Sequence, residues 1–199
     1  ATESEFEALS MQFRNLAKDI PLPVEGLTRI GELAGQLGIK KDDIIGFTET
    51  IAAIGVTTNL TEEQAATSFA RIANIFQAPV SEIGNLASAV VELGNNFATT
   101  ESEIVDFATN VATAGKIAGL STADVAAIST AFTSIGIEAE AGGTAVSKSL
   151  QAITDAVAKG GSDLQNFSDV AGMSAKEFAD LWKSDPVRAF DAFIKGLGT

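Results

Sequence analysis

The sequence predicts an all-α fold, a compact array of short amphipathic helices and helical hairpins. Apolar residues recur at three- and four-residue spacing almost throughout the chain, which is the period of an α-helix. No segment alternates apolar and polar residues for long enough to predict a strand. Residues that end helices and residues that begin them recur together between the apolar segments, so the helices should be short and numerous.

The first predicted element is a helix over residues 1–20 with heptad-like apolar spacing. Its stripe consists of Phe6, Leu9, Phe13, Leu16 and Ile20. Pro21 and Pro23 end it, because proline lacks a hydrogen-bond donor and obstructs the preceding turn. Two interpretations stay open. The helix either packs against a partner or continues upstream, or it packs on the same core as the rest of the chain.

Residues 24–199 form the second predicted domain, with a sub-boundary near residues 158–163. Its apolar stripes, in chain order, are Leu27–Leu37, Ile44–Ile54, Ala65–Phe76, Ile83–Leu93, Ile104–Val111, Val125–Ile135, Val146–Val157, Phe178–Trp182 and Val187–Leu197. Each stripe gives its helix one face to bury, and successive helices can pair as hairpins. Trp182 follows Leu181 in such a stripe and is predicted to be a core residue.

Several breaks between the stripes share a pattern in which one helix stops and the next begins at once. The four instances start at Gly38, Asn59, Gly119 and Gly172. A glycine or asparagine takes the left-handed conformation that closes a helix. A serine or threonine then caps the next helix, and an acid or amide three residues later returns the hydrogen bond.

The predicted capping residues are Thr61, Thr100, Ser121, Ser174 and Asp185, the last followed by proline at the first helical position. At the first break Lys40 cannot cap, so Asp42 is the expected cap.

Two pairs of glycines four residues apart predict close helix contacts or helix ends. They are Gly31 with Gly35 and Gly115 with Gly119.

The composition leaves few groups for catalysis or metal binding. The 199 residues include no His, Cys or Tyr, which removes the usual zinc, haem and iron–sulfur ligands and every catalytic triad that uses histidine. The formal net charge of −13 should repel phosphate backbones, so no specific nucleic-acid binding is expected. The longest uncharged run, Val125–Ile137, is too short to span a bilayer, so no transmembrane segment is expected. Without an initiator Met, the chain is expected to be a piece of a longer protein.

The chemical motifs favour structural interpretations. The segment Gly142–Ser149 comes close to a phosphate-binding loop, but no strand precedes it and Ser147 stands in place of the second glycine, so a helix start is favoured. The paired acids are Asp42/Asp43, Glu62/Glu63, Glu101/Glu103 and Glu138/Glu140. Several lie at predicted helix starts, where the helix dipole favours them, and sequence neighbours on a helix point in different directions. The sequence therefore predicts no catalytic, cofactor-binding or metal-binding residue and no enzymatic activity.

The stretch Ala118–Val125, followed by Thr133–Ala145, carries a Gly-Leu-Ser cap, an Ala-rich helix, a Gly-Ile turn and an Ala-Gly-Gly-Thr segment. Together with Ala171–Phe178 and Asp185–Leu197, it resembles the core region of tailed-phage tail tape measure proteins. The resemblance covers about Gly38 to Leu197. The extra glycine at positions 142–143 departs from the family pattern.

The resemblance implies a structural role in tail assembly, in determination of tail length and in genome ejection into the host. It implies the tail-tube protein, the tail assembly chaperones and a second copy of the chain as partners. The implied location is the lumen of the tail tube in the virion, and the host cytoplasm during assembly. Two alternatives stay open: a muralytic module of a tail protein, and a helical-repeat adaptor that binds a protein partner.

A molecular ruler needs extended helix, at about 1.5 Å per residue. Because this chain is interrupted by many caps, we expect a compact module rather than the measuring stretch.

Overall fold

The computed structural model describes residues 3–198, and the side chains of residues 7–198. This part of the chain forms eleven α-helices and no β-strand, which confirms the predicted all-α fold. The helices are α1 (Glu3–Leu16), α2 (Val24–Gln36), α3 (Ile44–Thr57), α4 (Glu62–Phe76), α5 (Val80–Asn96), α6 (Glu101–Ala118), α7 (Thr122–Thr133), α8 (Ala139–Lys159), α9 (Gly161–Val170), α10 (Ala175–Ser184) and α11 (Pro186–Gly196). A 3₁₀ turn at Lys41–Asp43 precedes α3.

Neighbouring helices pack as hairpins around a continuous apolar core. The pairs α2–α3, α6–α7 and α10–α11 are adjacent in sequence, whereas α6–α8, α2–α4 and α4–α6 join one hairpin to the next. Helix α6 is central, since it contacts α4, α5, α7 and α8. The largest fully buried side chains are Phe47, Phe69, Phe107 and Phe178.

Helix α1 contacts the same core. It ends at Leu16, four residues before the predicted end, and hydrogen-bonded turns follow it up to Ile20. Phe13 is only 4% exposed, and its ring lies against Gly31 of α2. This contact supports the interpretation in which α1 packs on the core of the rest of the chain. Phe6 lies outside the described side chains. The division into residues 1–20 and 24–199 stays a prediction.

The predicted helix caps are confirmed at five positions. Thr61, Thr100, Ser121 and Ser174 each form a reciprocal capping box with the residue three positions later. Asp185 accepts a hydrogen bond from the Arg188 N–H at the start of α11. Gly119 and Gly172 have φ of 87° and 71°, as the left-handed ends of the preceding helices require.

Two details of the predicted boundaries are wrong. Asn59 is not in the left-handed conformation; its side-chain oxygen instead accepts a hydrogen bond from the Ser102 N–H at 3.1 Å. Asp42 does not cap a helix, because it lies inside the 3₁₀ turn and Asp43 occupies the N-cap position of α3 without a side-chain bond. Gln77, which was not predicted to end a helix, ends α4 with a φ of 55°.

The predicted glycine contacts are present. A β-carbon on Gly115 would stand 2.8 Å from the Val125 side chain, so α6 and α7 approach closely there. Gly119, the second glycine of this pair, ends α6. In the other pair, Gly31 makes the close contact, because the Phe13 ring occupies the space where a β-carbon would lie.

The last three helices pack on one another at the C-terminal end. Their aromatic side chains form a cluster in which the Phe167 and Phe193 ring centroids lie 5.3 Å apart and those of Phe178 and Trp182 lie 6.3 Å apart. Trp182 is 4% exposed, which confirms its predicted place in the core. Helices α8 and α9 meet at Gly160, within the range 158–163, where a sub-boundary stays a prediction.

Candidate functional site

Three acids in the first turns of helices, Glu103, Asp124 and Glu177, are partners in capping boxes. The Glu103 carboxylate accepts hydrogen bonds from the Thr100 N–H at 2.9 Å and from the Thr100 hydroxyl at 3.0 Å. Asp124 binds Ser121 in the same way. Within residues 3–198, no group of three His, Cys, Asp or Glu side chains is placed to hold a metal ion. The absence of catalytic, cofactor-binding and metal-binding residues stays a prediction.

Two acids near the start of α6 have pKa values shifted in opposite directions. Hydrogen bonds from the Thr100 backbone and hydroxyl lower the pKa of Glu103. Partial desolvation raises the pKa of Asp106, and no neighbouring acid contributes to that shift. Asp106 therefore differs from the paired carboxylates of glycoside hydrolases, in which two carboxyl groups face one cleft.

The segment resembling a phosphate-binding loop is helical. Helix α8 begins at Ala139, slightly before the helix start predicted at Gly142–Ser149, so this segment lies inside the helix. The Gly142 N–H donates to the Glu138 carbonyl at 2.9 Å, and the Ser147 hydroxyl donates to the Asn110 carbonyl at 2.8 Å. These backbone and hydroxyl groups are engaged within the protein, and they do not form a phosphate cradle.

The paired glycines of α8 permit its close approach to α6. A β-carbon on Gly142 would stand 2.8 Å from the Phe107 ring, and one on Gly143 would stand 2.7 Å from the Asn110 β-carbon. Asn110 also donates a hydrogen bond to the Ala139 carbonyl at 3.1 Å. The departure from the family pattern at 142–143 thus has a packing role.

An apolar cleft of about 350 Å³ lies between α7 and α11 and is here named the α7/α11 cleft. It is lined by Ala127, Ile128, Ala131, Phe132, Ile135, Val187, Phe190, Asp191 and Ile194. Ile135 is 73% exposed. Asp191 is the one charged residue of this lining, and its carboxylate pairs with Lys195 at 2.7 Å. The cleft is therefore suited to apolar side chains rather than to a polar ligand.

A second groove, of about 480 Å³, separates α3 from α5. Its hydroxyl groups are already engaged, since Thr50 donates to the Gly46 carbonyl and Ser88 donates to the Gly84 carbonyl. Small residues such as Ala53 and Gly84 line much of the remainder. The lining also includes Glu92, Asn95 and Asn96, so this groove is partly polar.

The middle of the chain is strongly acidic. The segment from Ile72 to Ser147 contains eight acidic residues and one basic residue, so its net charge is −7. That basic residue, Lys116, lies with its Nζ 5.6 Å from the centre of the Phe76 ring. Across the described residues, no helix combines the length and the apolar character that a membrane crossing requires.

These features define an all-α protein of capped helical hairpins with an apolar cleft on an acidic surface. The family model described as "Phage-related minor tail protein" matches residues 10–196, so the chain belongs to this family and is a phage tail protein. As a member of a tail family it is associated with the virion. No curated protein and no solved structure shows significant similarity to it.

Proposed function

We propose that the chain is a compact module of a tail tape measure protein. Its role is structural, in tail assembly, in tail length determination and in genome ejection. The family match over residues 10–196 is the observation that carries this proposal. The Gly119–Ser121 cap and the Gly136–Ile137 turn, which resemble the tape measure core, give further support.

The packing of the helices supports a compact module rather than a measuring stretch. The longest helix, α8, has 21 residues and spans only about 30 Å. A continuous helix of 199 residues would be about 300 Å long. Because α6 contacts four other helices, the chain folds back on itself repeatedly.

The proposed partners are the tail-tube protein, the tail assembly chaperones and a second copy of the chain, and the proposed location is the tail-tube lumen. The net charge of −13 supports this location. A strongly acidic surface disfavours adhesion to DNA travelling through the same tube. The module is accordingly proposed to make no specific contact with nucleic acid.

We propose no enzymatic activity for the module. The use of Glu103, Asp124 and Glu177 as capping partners supports this view, because it holds these acids at helix starts. A zymogram on cell wall with the purified chain tests the muralytic alternative. We expect no clearing, and a cleared zone would overturn the non-enzymatic proposal.

The α7/α11 cleft favours the adaptor role as a second candidate function. A cleft lined by Ile128, Phe132 and Ile194 can accept the apolar face of a partner's helix. Cross-linking from Ala131, within the cleft, during tail assembly would distinguish the two roles. A non-tail partner would support the adaptor.

Tail length tests the structural proposal most directly. A tandem duplicate of residues 10–196 in the parent tail protein adds a second compact module without removing the first. We expect electron microscopy to show tails lengthened by far less than about 280 Å, the length that this stretch would add as one continuous helix. Lengthening close to that value would show that this stretch measures the tube and would overturn the compact-module proposal.

A further inference from the structure

We propose that helices α9–α11, here named the C-terminal unit, move as a rigid body about Gly160 and Gly161 and close the α7/α11 cleft. This inference does not depend on the tail function. It rests on three observations: aromatic contacts among the helices of the unit, a glycine joint at its start and an unfilled apolar cleft at its edge.

Buried aromatic side chains join the helices of the C-terminal unit to one another, within the continuous core that they share with α8. Phe178 and Phe190 are 0% and 3% exposed, and Phe193 packs against both Phe167 and Phe190. The end of α11 meets the end of α9 at Gly196, where a β-carbon would collide with the Val170 carbonyl oxygen. Helices held together in this way can change position without losing their mutual contacts.

The joint between α8 and α9 consists of two successive glycines. Gly160 and Gly161 have φ of 72° and 79°, values that L-residues with side chains rarely adopt. A β-carbon at either position would meet no atom within 4 Å, so the space beside both glycines is open. The unit meets the rest of the chain chiefly through α8. A backbone rotation at this joint therefore carries the whole unit.

The two walls of the cleft fit one another. Ala127 and Ala131 present small side chains on α7, which allow α11 to approach. Closure would remove Ile135 and Ile194 from water, and burial of apolar surface is favourable. Asp191 enters the closed interface already paired with Lys195. Helix α11, one of the two walls of the cleft, is thus the element that closes it.

Paired spin labels test the motion, because the chain contains no native cysteine. Labels at Glu138→Cys and Arg188→Cys report the distance from the cleft rim to α11. Labels at Asn166→Cys and Arg188→Cys report a distance inside the C-terminal unit. We expect two populated distances for the first pair and one for the second. A single distance for the first pair, unchanged by the substitution described next, would overturn the proposal.

A charge in the cleft should shift the balance between the two states. Ile135→Asp should lower the ratio of closed to open molecules by about tenfold, because closure would bury an unpaired carboxylate. Ile117→Asp is the matched control, since Ile117 is 61% exposed on α6 outside the cleft lining. It should leave the ratio unchanged.

Circular dichroism of each variant confirms that it is folded. An equal effect of the two substitutions would contradict the proposed closure. If the shorter distance within the first label pair appeared only as the protein concentration rose, the cleft would be occupied by a second copy of the chain. That result would also overturn the proposal.

Discussion

Gly143 of α8 lies directly on Asn110 of α6, so that a β-carbon at position 143 would stand 2.7 Å from the Asn110 β-carbon. The neighbouring Asn110 amide and Ser147 hydroxyl form hydrogen bonds across the same crossing, to the Ala139 and Asn110 carbonyls. The glycine therefore sets how closely α8 approaches the central helix of the fold.

Gly143→Ala should lower the free energy of unfolding by about 1–3 kcal/mol, because the added methyl group must push α8 away from α6. Urea unfolding followed by circular dichroism measures the change. Gly26→Ala is the matched control: Gly26 is also helical, but a β-carbon there meets nothing within 4 Å. It should raise stability by about 0.5–1 kcal/mol. Equal effects of the two substitutions would contradict the close crossing.

Phe13→Ala should destabilise the chain by about 3–5 kcal/mol, because it removes a buried ring from the contact between α1 and α2. Met11→Ala in the same helix should change the free energy of unfolding by less than about 0.5 kcal/mol, since Met11 is 62% exposed. Chemical denaturation of both variants provides the comparison. A negligible effect of Phe13→Ala would mean that α1 does not share the core.

Gln77→Gly should stabilise the chain by about 0.5–1 kcal/mol, because Gln77 ends α4 with a φ of 55° that glycine adopts without steric cost. The reciprocal change, Gly119→Ala, should destabilise by about 1 kcal/mol because Gly119 has a φ of 87°. Thermal unfolding measures both shifts. Destabilisation by Gln77→Gly would argue against a left-handed residue at this position.

Glu103 should make the stability depend on pH. Hydrogen bonds from Thr100 hold the pKa of Glu103 below its ordinary value of 4.5 in the folded chain. Its contribution to stability is therefore present above that value and is lost as the pH falls through the lowered pKa. The raised pKa of Asp106 acts in the opposite direction: its contribution is present below the ordinary value of 3.8 and is lost as the pH rises through the raised pKa.

Glu103→Gln isolates the first contribution. Glutamine can keep the cap, as Gln64 does beside Thr61, but it does not titrate. The variant should lose less stability than the parent chain when the pH is lowered from about 6 to about 3. The melting temperature across this range is the measurement. If the melting temperatures of the two proteins fell by the same amount over this pH range, the Thr100–Glu103 hydrogen bond would not be the source of the pH dependence.

Local sequence signals predicted ten of the eleven helices of residues 3–198 and the caps of five of them, but they missed α9 (Gly161–Val170), for which no apolar stripe was expected. The boxes at Thr100 and Ser121 could be identified because a cap and its partner lie only three residues apart. Asn59 could not be placed correctly, because its partner, the Ser102 N–H, is 43 residues away. Gln77 ends α4 although a left-handed φ is uncommon for a residue that is not glycine.

The close crossing of α6 and α8 and the α7/α11 cleft depend on tertiary packing and could not be predicted from the sequence. The Gly143–Asn110 contact joins helices separated by all of α7, and no short-range pattern identifies such a contact. The α7/α11 cleft combines Ala131 with Ile194, which lie 63 positions apart. Its α7 wall falls within the uncharged run Val125–Ile137, but only the fold shows that part of this run faces solvent.

Small-angle X-ray scattering of the purified chain tests the central claim most directly. Repeated folding back of short capped helices predicts a radius of gyration of roughly 16 Å for a compact chain of this length. An elongated particle with a radius of gyration several times larger would contradict the compact packing of α6 against its four neighbouring helices.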